Sequence, residues 1–182
     1  MAQLSGKKVA FVATRGVEQV ELTAPWQAVQ DAGAQTVLVS PSDSSFTAMH
    51  GDWEYGDDFT VDVPIAEADQ VDYDGLIVPG GTLNADALRV DEDVLRFVRS
   101  FFDQQKPVGV ICHGPWVLID AGVAEGRKLT SYHSLANDLK NAGAQWEDSE
   151  VVVDNGLVTS RSPADLDAFC AKVVEELAEG KH

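Results

Sequence analysis

Cysteine is scarce in this sequence of 182 residues, which holds only Cys112 and Cys170. Two thiols cannot supply a disulfide framework or a multi-thiolate metal site, so each needs an explanation of its own. Positive charge is scarce as well: Lys and Arg number 13 against 30 Asp and Glu, a formal charge of −17. A phosphate backbone or an anionic membrane would repel such a surface, so neither nucleic acid nor membrane is expected as a partner. Long apolar runs are missing too. The early run from Val9 to Ala13 follows Lys7 and Lys8 but is too short for a signal-peptide core and is closed by Arg15. No window approaches the roughly 18 apolar residues of a membrane helix, which predicts a soluble, cytoplasmic protein. Among the histidines, His50 and His133 lie in loop-like contexts and His182 is terminal, with no metal spacing between them. Neither a metal nor a cofactor is expected.

Apolar residues make up 45% of the chain, enough to bury one core and too little chain for two ordinary domains, so one domain over 1–182 is expected. The apolar run Lys8–Thr14 reads as a strand, and Glu18–Gly33 as a helix with Val20, Ala24, Ala28 and Ala32 on its inner stripe. Thr36–Ser40 is a second strand. Thr47–Gly51 and Phe59–Val63 read as a small antiparallel excursion, after which Tyr73–Gly81 and a helix from about Asp91 to Gln105 restore the β–α rhythm. Pro107–Ile111 is the next buried strand, followed by a helix ending near Gly122. Then come Leu129–Ser131, a helix over about Ser134–Ala142, strands Glu150–Val153 and Leu157–Ser160 around an Asp154-Asn-Gly156 hairpin turn, and a last helix from Pro163 to about Glu179. This alternation predicts an α/β fold with a mostly parallel sheet between helices.

Cys112 falls where the strand Pro107–Ile111 must turn into a helix, at the sheet edge where open α/β folds place ligands. With Gly114 permitting close helix–strand packing, Cys112-His113-Gly114 can form a sharp elbow that presents the thiol at a helix N-terminus. A thiolate there gains from the helix dipole and unpaired amides, which lower cysteine pKa values to about 3.5–7.5. The competing reading is a buried small hydrophobe, and it suits Cys170, which lies in the last amphipathic helix without a His or a turn beside it. Pro79-Gly80-Gly81 ends the neighbouring strand, so the amides of Gly81 and His113 could form an oxyanion hole. Glu18 and Glu21 both follow the first strand, and only one of them can face the crevice; as first-turn acids both would also suit the helix dipole.

Gly16-Val-Glu-Gln-Val-Glu-Leu22, Val78-Pro-Gly-Gly81, Ile111-Cys-His-Gly-Pro115, Thr130-Ser-Tyr132, Asn141-Ala-Gly-Ala144 and Val153–Asp165 stand in an order and spacing that resemble the PfpI branch of the ThiJ/PfpI superfamily, over essentially the whole chain. The resemblance implies a flavodoxin-like three-layer sandwich with the antiparallel excursion near residues 46–63. It implies Cys112 as nucleophile, His113 beside it, and Glu18 as a protonated carboxyl touching the sulfur. It also implies a homodimer or larger ring in which an acidic residue of a neighbouring subunit orients the His, and the similar position here is Asp86. His133 stands where relatives commonly have Pro. Glutamine amidotransferases share the elbow but need a C-terminal His with an acid two residues on, which Ser160–Asp165 does not supply.

Three functions fit these residues. One is a PfpI-type cysteine hydrolase, an intracellular-peptidase-like stress protein in which Cys112 attacks a peptide or ester carbonyl and His113 shuttles the proton. Another is a cofactor-independent glyoxalase or deglycase acting on small carbonyls of the methylglyoxal type or their adducts. The third is a non-enzymatic sensor in which Cys112 is oxidised. Fold and nucleophile together do not choose among them, and the hydrolase is the reading favoured.

Overall fold

The computed structural model describes residues 3–182. Its strands are β1 (Lys8–Val12), β2 (Gln35–Ser40), β3 (Ser45–His50), β4 (Glu54–Thr60), β5 (Val63–Pro64), β6 (Gly75–Val78), β7 (Val108–Ile111), β8 (Lys128–Leu129), β9 (Gln145–Trp146), β10 (Val151–Asp154) and β11 (Leu157–Ser160). The helices are α1 (Gln19–Asp31), α2 (Thr82–Leu88), α3 (Glu92–Asp103), α4 (Pro115–Asp120), α5 (Ala136–Asn141) and α6 (Leu166–Glu179). Seven strands form one sheet in the order β10-β11-β7-β6-β1-β2-β5, parallel throughout except where β10 pairs antiparallel with β11.

Both faces of this sheet are covered. Along β1, Ala10 and Val12 enter one apolar cluster with Val98, Phe101 and Leu118, while Val9 and Phe11 enter the other with Leu22, Val29 and Phe169. Successive side chains of a strand point to opposite faces, so a run that is apolar at every position needs helices on both sides. Helices α1 and α6 supply one layer, α3 and α4 the other, which is the flavodoxin-like three-layer sandwich. Local signals start the helices where they start: the Asp91 carboxylate accepts hydrogen bonds from the Asp93 and Val94 amides, both at 3.0 Å, and caps α3. Among the described residues, no helix is long and apolar enough to cross a membrane.

Three sequence expectations need correction. The inner stripe of α1 is Glu21, Leu22, Pro25 and Val29, and Val20 faces outward. Alanines at 24, 28 and 32 mimic an apolar stripe, but they carry too little surface to set the phase against Leu22 and Val29. The antiparallel excursion is a hairpin of β3 and β4, with its turn at Gly51 and Asp52 and its second strand several residues earlier than Phe59–Val63. The segment near Leu129 does not join the main sheet: β8 pairs in parallel with β9 in a separate two-stranded ribbon.

Candidate active site

Because β6 and β7 are hydrogen-bonded neighbours, their C-terminal ends bring Pro79–Gly81 beside Cys112. Cys112 has φ 62°, a left-handed conformation that is uncommon outside glycine. The strain is held from both sides: the Cys112 N–H donates to Ser160 O at 3.0 Å, and Cys112 O accepts from the Tyr132 N–H at 2.8 Å. The elbow leaves the thiol only 7% exposed, with Sγ 3.2 Å from His113 Nδ1. The backbone N–H groups of Gly81 and His113 lie against the sulfur and favour its ionised form. Gly81 holds its place through φ 90°, and a Cβ there would approach Val17 C to 3.0 Å. Buried Asn84 braces the loop from behind, accepting from the Thr14 N–H at 2.8 Å and donating to Pro79 O and Gly80 O at 3.1 and 3.0 Å.

The carboxyl at the sulfur belongs to Glu21 and not to Glu18. Glu21 is fully buried in the first turn of α1, accepts the Gly80 N–H at 2.8 Å through Oε2, and stands beside Cys112. Glu18 stands at the N-cap position of α1, before the helical screw begins; its side chain leaves the helix uncapped and its Oε2 accepts the Gly51 N–H at 2.8 Å. It anchors the hairpin turn. The residues alone leave Glu18 and Glu21 open and the resemblance was carried onto Glu18; a carboxylate on the buried stripe of a helix was the signal that could have identified Glu21.

Burial raises the Glu21 carboxyl to about 8, opposed by the neighbouring Cys112 thiol and the Gly80 amide. Its Oε1 is buried with no hydrogen-bond partner among the described residues, a setting that disfavours the charged carboxylate. Burial also pushes the Cys112 thiol up, and an ionised Glu21 would push it further. The helix behind the elbow, α4, is only 6 residues long, so the dipole expected from the sequence does not offset desolvation. The two groups titrate as a pair: sulfur ionises readily only while the proton stays on the carboxyl. Cys170 is half-buried in α6, where burial raises its thiol to about 11.

His113 is enclosed by rings, with Tyr132 stacked at 4.6 Å, Trp116 edge-on at 5.3 Å, and exposed His133 on the other side of Tyr132 at 4.4 Å. Burial lowers its imidazole, and the charge of Asp52 opposes that fall. Asp52 was not anticipated. Its Oδ2 accepts from Thr82 Oγ1 at 2.7 Å, its Oδ1 accepts from the Thr82 N–H at 3.2 Å, and Thr82 Oγ1 lies 3.4 Å from His113 Nε2. Asp86 makes no hydrogen bond or ion pair with His113 of its own chain. It stands exposed on α2, in a surface cleft of about 610 Å³ that Arg15, Thr47, Met49, Tyr55 and Leu83 also line. On the far side of the molecule Glu176, Glu179 and His182 bring one ligand atom each within 4.8 Å of one another, with Glu176 and His182 paired at 3.0 Å.

Known proteins resemble this chain in sequence and fold. The chain is 40% identical over 164 residues to the Bacillus subtilis protein named "Putative cysteine protease YraA", covering 90% of this chain and 94% of that protein. A solved two-domain protein of Anabaena variabilis, with DJ-1/ThiJ/PfpI-like and ferritin-like domains, superimposes with a TM-score of 0.88 at 32% identity over 94% of this chain and 48% of that longer one. Drosophila melanogaster DJ-1beta superimposes with a TM-score of 0.85 at 28% identity, covering 94% of this chain and 90% of that one. Residues 7–176 match the DJ-1/PfpI family, and the chain belongs to that family.

Proposed function

We propose that the protein is a cysteine-dependent hydrolase of the PfpI type. The observation that carries this reading is the convergence on one sulfur of an imidazole nitrogen at 3.2 Å and two backbone amides, at a strained elbow. In the proposed reaction Nδ1 of His113 takes the thiol proton and sulfur attacks an amide or ester carbonyl. The S–C bond forms as the C=O π pair moves onto oxygen, where the amides of Gly81 and His113 can stabilise it. Collapse of that intermediate expels the amine or alcohol, protonated by the imidazolium, and water then hydrolyses the thioester. The name of the Bacillus relative supports the reading.

A second reading is favoured by one feature, the 7% exposure of Cys112 among aromatic rings. So narrow an approach suits a small carbonyl of the methylglyoxal type, or its adduct with an amine or thiol, better than a folded polypeptide. Sulfur would add to the aldehyde as a hemithioacetal, and protonated Glu21 would serve as the neighbouring acid.

Purified protein assayed side by side with an unfolded peptide, a glycated amine and methylglyoxal separates the two. Peptide turnover that Cys112→Ala abolishes supports the hydrolase. Turnover confined to the carbonyls supports the second reading. If none reacts while Cys112 oxidises readily, the role is that of a sensor.

We also propose that a second copy of the chain seats against the cleft holding Asp86. Arg15 and Asp86 line this cleft together and form no ion pair among the described residues, while Trp53 and Tyr55 on the adjoining hairpin are 91% and 83% exposed. Exposed aromatics beside complementary charges suit a two-fold contact.

A further inference from the structure

The hairpin turn of β3 and β4 ends beside the reactive pair. Gly51 and Asp52 both take left-handed conformations there, with φ 62° and 65°, and Glu18 holds the turn down through the Gly51 amide. The turn therefore delivers the Asp52 carboxylate to the start of α2. Thr82 gives Asp52 both of its donors, the backbone N–H and the hydroxyl.

This fixes the remaining hydrogen-bond roles. A hydroxyl has one proton. With that proton on Asp52 Oδ2, Thr82 Oγ1 can only accept from His113, so Nε2 must carry the hydrogen. A neutral imidazole protonated at Nε2 has a bare Nδ1, and Nδ1 is the atom that faces Cys112 Sγ. The opposite tautomer would set a bare Nε2 against an oxygen with no proton to give, and an N–H against a thiol that must lose its own.

Resting on the reading of Cys112 as nucleophile, we propose that Asp52 and Thr82 are positioning residues, which hold His113 in its Nε2–H tautomer with Nδ1 open to the thiol. When Nδ1 takes the proton, the S–H bond breaks, its electron pair stays on sulfur and the ring becomes an imidazolium. Asp52, one hydroxyl away, stabilises that cation. Among the described residues, the other groups facing His113 do not compete for the role. Cys112 lies on the Nδ1 side, and Tyr132 and Trp116 present rings. His133, beyond Tyr132, opposes protonation of His113, and Arg89 is engaged with Trp116 and Asp120.

Long-range ¹H–¹⁵N correlation of the His113 ring tests this directly, because the two nitrogens report the tautomer without any turnover. Wild type is expected in the Nε2–H form. Thr82→Val should shift the ring toward a mixture, and Thr82→Ser should restore the wild-type pattern. Asp52→Asn suits the left-handed turn position and so preserves the fold. It should lower the His113 pKa by on the order of half a unit to one unit, the effect of removing a nearby opposite charge. It should also slow alkylation of Cys112 by about three- to tenfold, the factor to which that shift of the proton-accepting imidazole corresponds. An Nδ1–H tautomer in the wild type, or no change of tautomer in Thr82→Val, overturns the proposal. A wild type with the expected tautomer that hydrolyses none of the three substrates overturns the hydrolase and leaves this positioning role standing.

Discussion

At the scale of single residues, the site depends on where one proton rests. Glu21 and Cys112 share a buried place in which two negative charges would repel each other in a low dielectric. With the proton on the carboxyl, Glu21 can turn a donor toward a thiolate and stabilise it without adding charge. Glu21→Gln keeps a donor and should change the thiol little. Glu21→Leu removes it and should raise the apparent pKa of Cys112, each unit being worth about 1.4 kcal/mol of preference for the thiolate. Thiolate absorbance near 240 nm, roughly where thiolates absorb and thiols do not, follows this across pH. A fall in Glu21→Leu would mean that the carboxyl is ionised. The same shift makes a prediction about stability. The folded carboxyl titrates at about 8 against 4.5 for the free group, so between these values the folded state holds more protons than the unfolded one. Stability should therefore fall as pH rises through that window, and Glu21→Gln should flatten the slope. Denaturant midpoints measured at pH 5, 6.5 and 8, chosen as roughly even steps across it, would check both arms.

At the scale of elements, the working parts are the turns that close three strands. Gly81 shows how tightly they meet: φ of 90° and a Cβ 3.0 Å from Val17 C make any side chain costly there. Gly81→Ala should destabilise by about 1–3 kcal/mol, which for a chain of this length is a drop of roughly 2–4 °C per kcal/mol in Tm. It should also cut turnover by displacing the amide beside the sulfur. Calorimetry together with the peptide and methylglyoxal assays would show whether the two losses occur together. Most elements were legible in the sequence because buried parallel strands are short apolar runs, as in Val9–Val12 and Val108–Ile111, and because Asp91 and Gly180 mark helix ends. The place of Cys112 at the end of an apolar strand was legible for the same reason, but its role as nucleophile came from the resemblance, since the residues alone left a buried small hydrophobe as a competing reading. Glu21 was left open beside Glu18 by the residues and was passed over when the resemblance was carried onto Glu18. Asp52, Thr82 and Asn84 were not legible, because their roles come from a hairpin and a short helix meeting across a crevice. No local periodicity reports a contact such as Asp52 to Thr82, which spans 30 positions in the chain.

At the scale of the whole molecule, charge and surface shape govern behaviour in solution. A net charge of −17 repels itself in the compact state, so Tm should rise as salt is added from about 20 to 500 mM, a range over which the screening length falls to several ångströms. A flat response would mean that the acidic surface is locally compensated. Light scattering should find a dimer or larger assembly, weakened by Asp86→Arg, which sets like charges together in the cleft with Arg15. A strict monomer at working concentration would remove the proposed second copy. The central claim concerns the sulfur, and its most direct measurement is brief iodoacetamide labelling followed by peptide mapping, with Cys170 as the internal control. Burial raises both thiols, but Cys112 has an imidazole acceptor at 3.2 Å for its proton, which Cys170 lacks among the described residues. The account predicts that Cys112 is alkylated much faster near neutral pH despite its burial, and that Glu21→Leu slows it while leaving Cys170 unchanged. Equal labelling of the two cysteines, or faster labelling of Cys170, would contradict it.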